Sequence, residues 1–274
     1  MLFEALRDSV RYPAIWLAGA GYAALDALQL VLTLQGETFF SVRLLVLEYL
    51  ALPFLLAGAF GMLREADSSP RRLLSEGVAN YFRVLLPALV VTFAAVLLLF
   101  ALLVPLSMVG GALSTDLAAG VTIAIMIPVA VFFSLYDTAA CFEGLGVFAS
   151  LRRSTSLVLA HVWEVVVFLL TTLAVLFAAG FVLIVGWTTA LYPQLEPLTS
   201  MSPAEVASFS PAQFAAMIGP AGIGLAALAY ALFILFAFVF VTTYKARVFR
   251  SVSAATPQAE PQGEYDEKGR YYKF

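Results

Sequence analysis

The sequence predicts an all-α polytopic membrane protein, with six transmembrane helices arranged as three hairpins and each hairpin preceded by an amphipathic interfacial helix on the cytoplasmic side. Three observations predict it. The chain of 274 residues is 62% hydrophobic and only 12% charged, whereas soluble domains are roughly half apolar; its mean hydropathy is +0.95. Six apolar runs, at 13–34, 44–63, 84–109, 117–136, 162–187 and 221–244, each reach the roughly 20 residues that cross a hydrocarbon core about 30 Å thick. Fourteen of the fifteen Lys and Arg residues lie in every other gap between those runs, and Arg43 alone lies on the opposite side. Basic residues near span ends resist translocation, so the bias predicts a multi-pass protein of the cytoplasmic membrane with both termini in the cytoplasm.

The elements follow in order. Leu2, Phe3, Leu6 and Val10 recur at helical spacing beside Arg7 and Arg11, the pattern of a helix that buries one face in the membrane interface and keeps its cations wet. Run 13–34 exceeds the apolar core of a signal peptide, roughly 7 to 15 residues, and follows Glu4 and Asp8; it reads as the first span. Run 44–63 returns across the membrane and contains Pro53, which removes a backbone donor and bends a helix. Leu73, Leu74, Gly77, Val78, Tyr81 and Phe82, with Arg71, Arg72 and Arg83, form a second amphipathic segment before 84–109, and run 117–136, with Pro128, returns. Val147, Phe148, Leu151 and Val158, with Arg152 and Arg153, form a third before 162–187. These are three parallel units of one plan, unlike the inverted repeats of many carriers. The outer loop, 188–220, holds two capping boxes, Ser202-Pro203-Ala204-Glu205 and Ser210-Pro211-Ala212-Gln213, in which the Ser caps a helix start and the acid or amide three residues on reaches back. Run 221–244 completes a single membrane domain over 1–250. Residues 251–274, rich in Ser, Ala, Pro, Gln and Gly up to Gly263, predict a disordered cytoplasmic tail that closes on Tyr271, Tyr272, Lys273 and Phe274.

Candidate chemistry is sparse. Asp26 falls inside the first span, about eight residues or roughly 12 Å of helix from its outer end. A carboxylate at a span's centre costs about 2.5 to 3.5 kcal/mol, so it must face the bundle interior, hold a proton or find a partner. Glu48 enters the second span at a similar level, Arg43 stands at that span's outer edge, and Gln29 lies one turn after Asp26. The four form a candidate polar cluster that either binds a cation or relays protons, or else ties two helices together. Asp137, Glu143, His161 and Glu164 gather at the inner face. A single His among scattered carboxylates is a poor metal site, and headgroup-level polar residues explain the group more simply. Arg7, Arg11, Arg71, Arg72, Arg83, Arg152 and Arg153 are the expected lipid-headgroup contacts. Cys141, the only cysteine, allows no intrachain disulfide and reads as a small packing residue. Phosphate loop, nucleophile elbow and haem-type His pair are all missing from the sequence, so no cofactor, metal or nucleic-acid partner is expected.

The segments Arg71-Arg72-Leu73-Leu74-Ser75-Glu76-Gly77, Asn80-Tyr81-Phe82-Arg83 and Gly146-Val147-Phe148-Ala149-Ser150-Leu151-Arg152-Arg153-Ser154 give the chain a plan that resembles the membrane domain of glycerophosphoryl diester phosphodiesterases and related six-span prokaryotic membrane families. The resemblance implies the architecture and carries over no catalytic residue, because the chain has no soluble phosphodiesterase domain. The expectation is a non-catalytic accessory or scaffold protein whose partners are membrane lipids and another membrane protein. A small carrier or channel built on the outer polar cluster is the alternative, and an intramembrane enzyme working through His161 and Glu164 stands behind both.

Overall fold

The computed structural model describes residues 2–110, 115–202, 205–206, 208–256, 263–265 and 271–273. Its helices are α1 (Leu2–Arg11), α2 (Pro13–Leu34), α3 (Thr38–Glu65), α4 (Pro70–Gly110), α5 (Thr115–Phe132), α6 (Tyr136–Phe142), α7 (Val147–Ala160), α8 (Val162–Ala190), α9 (Tyr192–Thr199) and α10 (Pro211–Ala255). Among the described residues six stretches are long and apolar enough to cross a membrane, α5 and α6 counting together as one. Pro203, Ala204, Lys268, Arg270 and Phe274 lie outside the described residues, as do the side chains of Leu2, Phe3 and Leu6.

The core lies toward the end of the bundle where the basic residues gather, called here the basic end. Ile15 and Ala18 of α2, Phe60 and Met62 of α3, and Phe238 and Val239 of α10 form one cluster. Leu135, Leu157 of α7, Val165 of α8, and Phe240 and Phe249 of α10 form a second. α10 belongs to both, so it is the axis of the bundle. Elsewhere the spans expose large apolar side chains, such as Phe93, Phe100, Ile123 and Phe177, which is the surface a lipid solvent requires.

Close packing of α3 on α4 depends on glycine. A Cβ on Gly58 would overlap the Leu73 carbonyl oxygen, and one on Gly61 would overlap the Glu76 side chain. Small residues let helix backbones approach in a bilayer, where apolar surface gives no preference for protein over lipid.

Four details differ from the sequence expectation. First, α4 is continuous for 41 residues, about 60 Å at 1.5 Å per residue and roughly twice the thickness of a hydrocarbon core. The separate elbow expected at 71–83 is its first third. The apolar stripe read there also belongs to two faces: Leu73 and Gly77 are buried with Glu76 and Asn80, while Leu74, Val78 and Phe82 are exposed. Adjacent positions lie about 100° apart on a helix, so one broad stripe divides between bundle and surroundings. In α7, likewise, Leu151 and Val158 are buried and Phe148 is 75% exposed.

Second, the fourth span is broken over 133–135, a few residues after Pro128. The buried Ser154 hydroxyl on α7 donates to the Phe132 carbonyl at 2.8 Å and accepts from the Leu135 amide at 3.1 Å, satisfying a carbonyl and an amide at the break. Third, α10 begins before 221. Ser210 and Gln213 form the expected reciprocal cap, and the chain then bends at Gly219, whose φ of 68° is one that glycine adopts freely. Ser202 and Glu205 make the same reciprocal bonds, which hold the exposed Glu205 carboxyl below its usual range. Fourth, the tail expected from 251 retains structure: α10 runs to Ala255, and Gly263–Tyr265 (β1) pairs antiparallel with Tyr271–Lys273 (β2).

Candidate functional site

The far half of the bundle holds two buried carboxyl groups. Asp26 on α2 is 8% exposed and Glu48 on α3 is 4% exposed, and the two carboxyl groups lie close enough to act on each other electrostatically. Neighbouring buried carboxyl groups with no cation beside them do not both ionise, so the pair shares one proton. The Tyr230 hydroxyl on α10 donates to Asp26 Oδ2 at 3.4 Å. Tyr22, one turn before Asp26, and Tyr49, next to Glu48, are the further titratable groups nearby. Glu48 Oε1 is buried with no hydrogen-bond partner. Beyond the pair, the α2–α3 turn is closed by the Thr33 and Ser41 hydroxyls, 2.7 Å apart.

The expected cluster of four therefore contracts to the carboxyl pair. Arg43 turns back on its own helix: Nη1 donates to the Phe39 carbonyl at 2.9 Å, and the guanidinium lies 3.2 Å from the Phe39 ring centroid. Gln29 contributes its backbone carbonyl to Thr33 and is not among the partners of Asp26. Sequence reasoning missed Tyr22 and Tyr230. Tyr22 was legible as a hydroxyl one turn from Asp26; Tyr230, 204 residues away, gave no signal.

At the basic end a network of charged and polar contacts joins α3, α4, α6 and α10. Arg64 at the end of α3 donates to the Cys141 carbonyl on α6 at 2.8 Å, to Glu76 on α4 at 3.2 Å and to Glu65 at 2.9 Å. Glu76, 6% exposed, also meets Arg72 at 2.8 Å and accepts from Asn80 at 2.9 Å, while Arg83 donates to Asn80 at 3.0 Å. Arg72 also pairs with Glu65. Arg250 donates to the Leu63 carbonyl and lies 5.2 Å from the Phe142 ring. Glu76 and Asn80, both buried, are further residues the sequence reading did not single out. Cys141 is buried.

The four residues expected at the inner face do not form one group. Asp137 on α6 is bound by Lys245 of α10 at 2.7 Å. Glu143 takes a two-pronged contact from Arg153, at 2.9 to 3.1 Å, and Arg153 also donates to the Thr256 carbonyl at 2.7 Å. His161 Nε2 lies 2.9 Å from the Thr256 hydroxyl, and its Nδ1 lies 3.7 Å from exposed Glu164. These contacts fasten the end of α10 to α7. Among the described residues no three His, Cys, Asp or Glu side chains are grouped to hold a metal. Of the seven arginines expected at headgroups, Arg72 and Arg153 are engaged in ion pairs. Arg7, Arg11, Arg71, Arg83 and Arg152 are exposed.

Two cavities are lined in part by the tyrosines nearest the carboxyl pair, Tyr22 and Tyr230, and neither is lined by Asp26 or Glu48. One, of about 260 Å³, runs between α2, α3 and α10 from Tyr22 past Leu52 and Phe60 to Asp137 and Lys245. The other, of about 380 Å³, is an apolar groove lined by Leu30, Leu183, Trp187, Tyr230 and Phe233. Tyr22 lines the first and Tyr230 the second.

The family model described as a domain of unknown function (DUF7847) matches residues 2–252, and it makes no link to the phosphodiesterase membrane domains expected from the sequence. No curated protein and no solved structure matches the chain.

Proposed function

Because the chain belongs to the DUF7847 family, whose description assigns no chemistry, we propose from its geometry a non-catalytic accessory protein of the cytoplasmic membrane that binds anionic lipid along its basic end. Its termini and all three amphipathic segments lie on the cytoplasmic side, and its apolar helix faces are available to a membrane-protein partner. One observation supports this reading above the rest. α4 and α7 each carry an exposed apolar face beside an exposed cation: Leu74, Val78 and Phe82 next to Arg71, and Phe148 and Leu159 next to Arg152. A helix so patterned sinks its apolar side chains among acyl chains and places its guanidinium at the phosphate level. Each basic residue near an anionic surface adds about 1 kcal/mol of attraction.

Native mass spectrometry on protein released from nanodiscs of mixed anionic and zwitterionic lipid tests the proposal. Wild-type protein should retain anionic lipid preferentially, and the double variant Arg71→Glu with Arg152→Glu should lose that preference. Equal retention of both lipid classes by the wild type would overturn the lipid assignment. Turnover of a substrate, or solute movement in liposomes by the protein alone, would overturn the accessory role.

A further inference from the structure

We propose that Asp26 and Glu48 form a monovalent-cation site, in which one bound ion replaces the proton the two carboxyl groups share. Charge balance carries the argument. The electrostatic neighbours of the pair from the helices packed around it, α2, α3 and α10, are Tyr22, Tyr49 and Tyr230, none of them cationic at neutral pH. Arg43, the one basic residue on that side, is engaged with Phe39. Once the shared proton leaves, two like charges remain in a site of low dielectric constant, an arrangement that is strongly unfavourable without a counter-ion. No described side chain supplies one, so the compensating charge must come from solution.

The site is equipped to receive it. Glu48 Oε1 is buried without a partner, and an unsatisfied buried acceptor costs about 1 to 3 kcal/mol until something binds it. With the second Glu48 oxygen, the Asp26 carboxyl and the Tyr230 hydroxyl, it makes a set of hard oxygen donors from three helices, which suits alkali and alkaline-earth ions and not softer metals. Calcium takes six to eight oxygens and magnesium keeps several waters; three side chains between packed helices satisfy neither. A monovalent ion also leaves the site with the same net charge as the shared proton. Tyr22 and Tyr230, the tyrosines beside the pair, each line a cavity. The exchange is balanced: the O–H bond of one carboxyl group breaks, the proton goes to water, and the ion takes its place between two carboxylates, with no change of oxidation state.

The test is isothermal titration of the full chain in nanodiscs with sodium or potassium chloride, using choline chloride as the ionic-strength control. Repeating it in buffers of different protonation enthalpy counts the protons released. A saturable site for sodium or potassium with one proton released per ion is expected, its apparent affinity falling tenfold for each unit the pH is lowered within the range where the pair is protonated. Glu48→Gln should abolish binding and proton release together. Tyr230→Phe, which leaves the pair intact, should weaken binding several-fold without changing the proton count. No saturable heat beyond choline, binding without proton release, or wild-type binding by a folded Glu48→Gln protein would each overturn the proposal. If Glu48→Gln does not fold, the wild-type proton count and the Tyr230→Phe shift decide the matter.

Discussion

Ser154→Ala removes a single oxygen, yet it should rank among the most damaging substitutions in the chain. Ser154 is fully buried, and its hydroxyl serves both sides of the break between α5 and α6, donating to the Phe132 carbonyl at 2.8 Å and accepting from the Leu135 amide at 3.1 Å. Alanine leaves one acceptor and one donor unpaired in the interior. Each such group costs about 1 to 3 kcal/mol, so the two together give a loss of roughly 2 to 6 kcal/mol. Thr155→Ala is the internal control. Its hydroxyl bonds back to the Leu151 carbonyl of the same helix at 3.1 Å, and its loss should stay within about 0.5 kcal/mol, as is usual for substitutions away from buried features. Reversible unfolding in mixed micelles with increasing SDS measures both, and hydrogen exchange at the Leu135 amide reports the break directly. A Ser154→Ala protein as stable as Thr155→Ala, with Leu135 protection unchanged, would refute the role given to this hydroxyl.

Two further outcomes follow from the packing and from the charge pattern. Gly58→Ala and Gly61→Ala should each cost about 1 to 3 kcal/mol through overpacking of α3 on α4, whereas Gly21→Ala, with nothing within 4 Å of the added carbon, should be neutral in the same SDS titration. Cysteines introduced singly at Ser202 and Ser69, after Cys141→Ala, should be labelled by an impermeant reagent in intact cells only at Ser202; labelling at Ser69 instead would reverse the orientation.

Long apolar runs were legible because burial in a bilayer is a one-dimensional signal: the first expected span, 13–34, coincides with Pro13–Leu34. What sequence periodicity left open was the face of each helix. Leu73 and Leu74 carry the same hydrophobic signal, yet one packs on α3 and the other faces outward, and only the partner helix distinguishes them. Continuity was hidden for a related reason, since the charges at Arg71, Arg72 and Arg83 that suggested a separate elbow lie along an unbroken α4, where Arg72 pairs with Glu76. At the candidate site, the intramembrane carboxylates were legible from their desolvation cost. Their surroundings were not: Arg43 looked like a natural partner until its own helix supplied Phe39, and Tyr230 comes from a span far along the chain.

The same comparison explains why the acid pair is the place to look for chemistry. Toward the basic end, the carboxyl groups within the bundle are matched by cations: Glu76 by Arg64 and Arg72, Asp137 by Lys245, Glu143 by Arg153. These contacts fasten α3, α4, α6, α7 and α10 to one another, and both apolar clusters lie beside them. A carboxyl group serving only to join helices would be expected to have a similar partner. Asp26 and Glu48 instead have each other, a long contact from Tyr230 and one unpartnered oxygen. They also lie away from the clamped end, beside Tyr22 and Tyr230, each of which lines a cavity. The position combines an incomplete electrostatic balance with room to complete it, which is what a binding site needs and a structural tie does not.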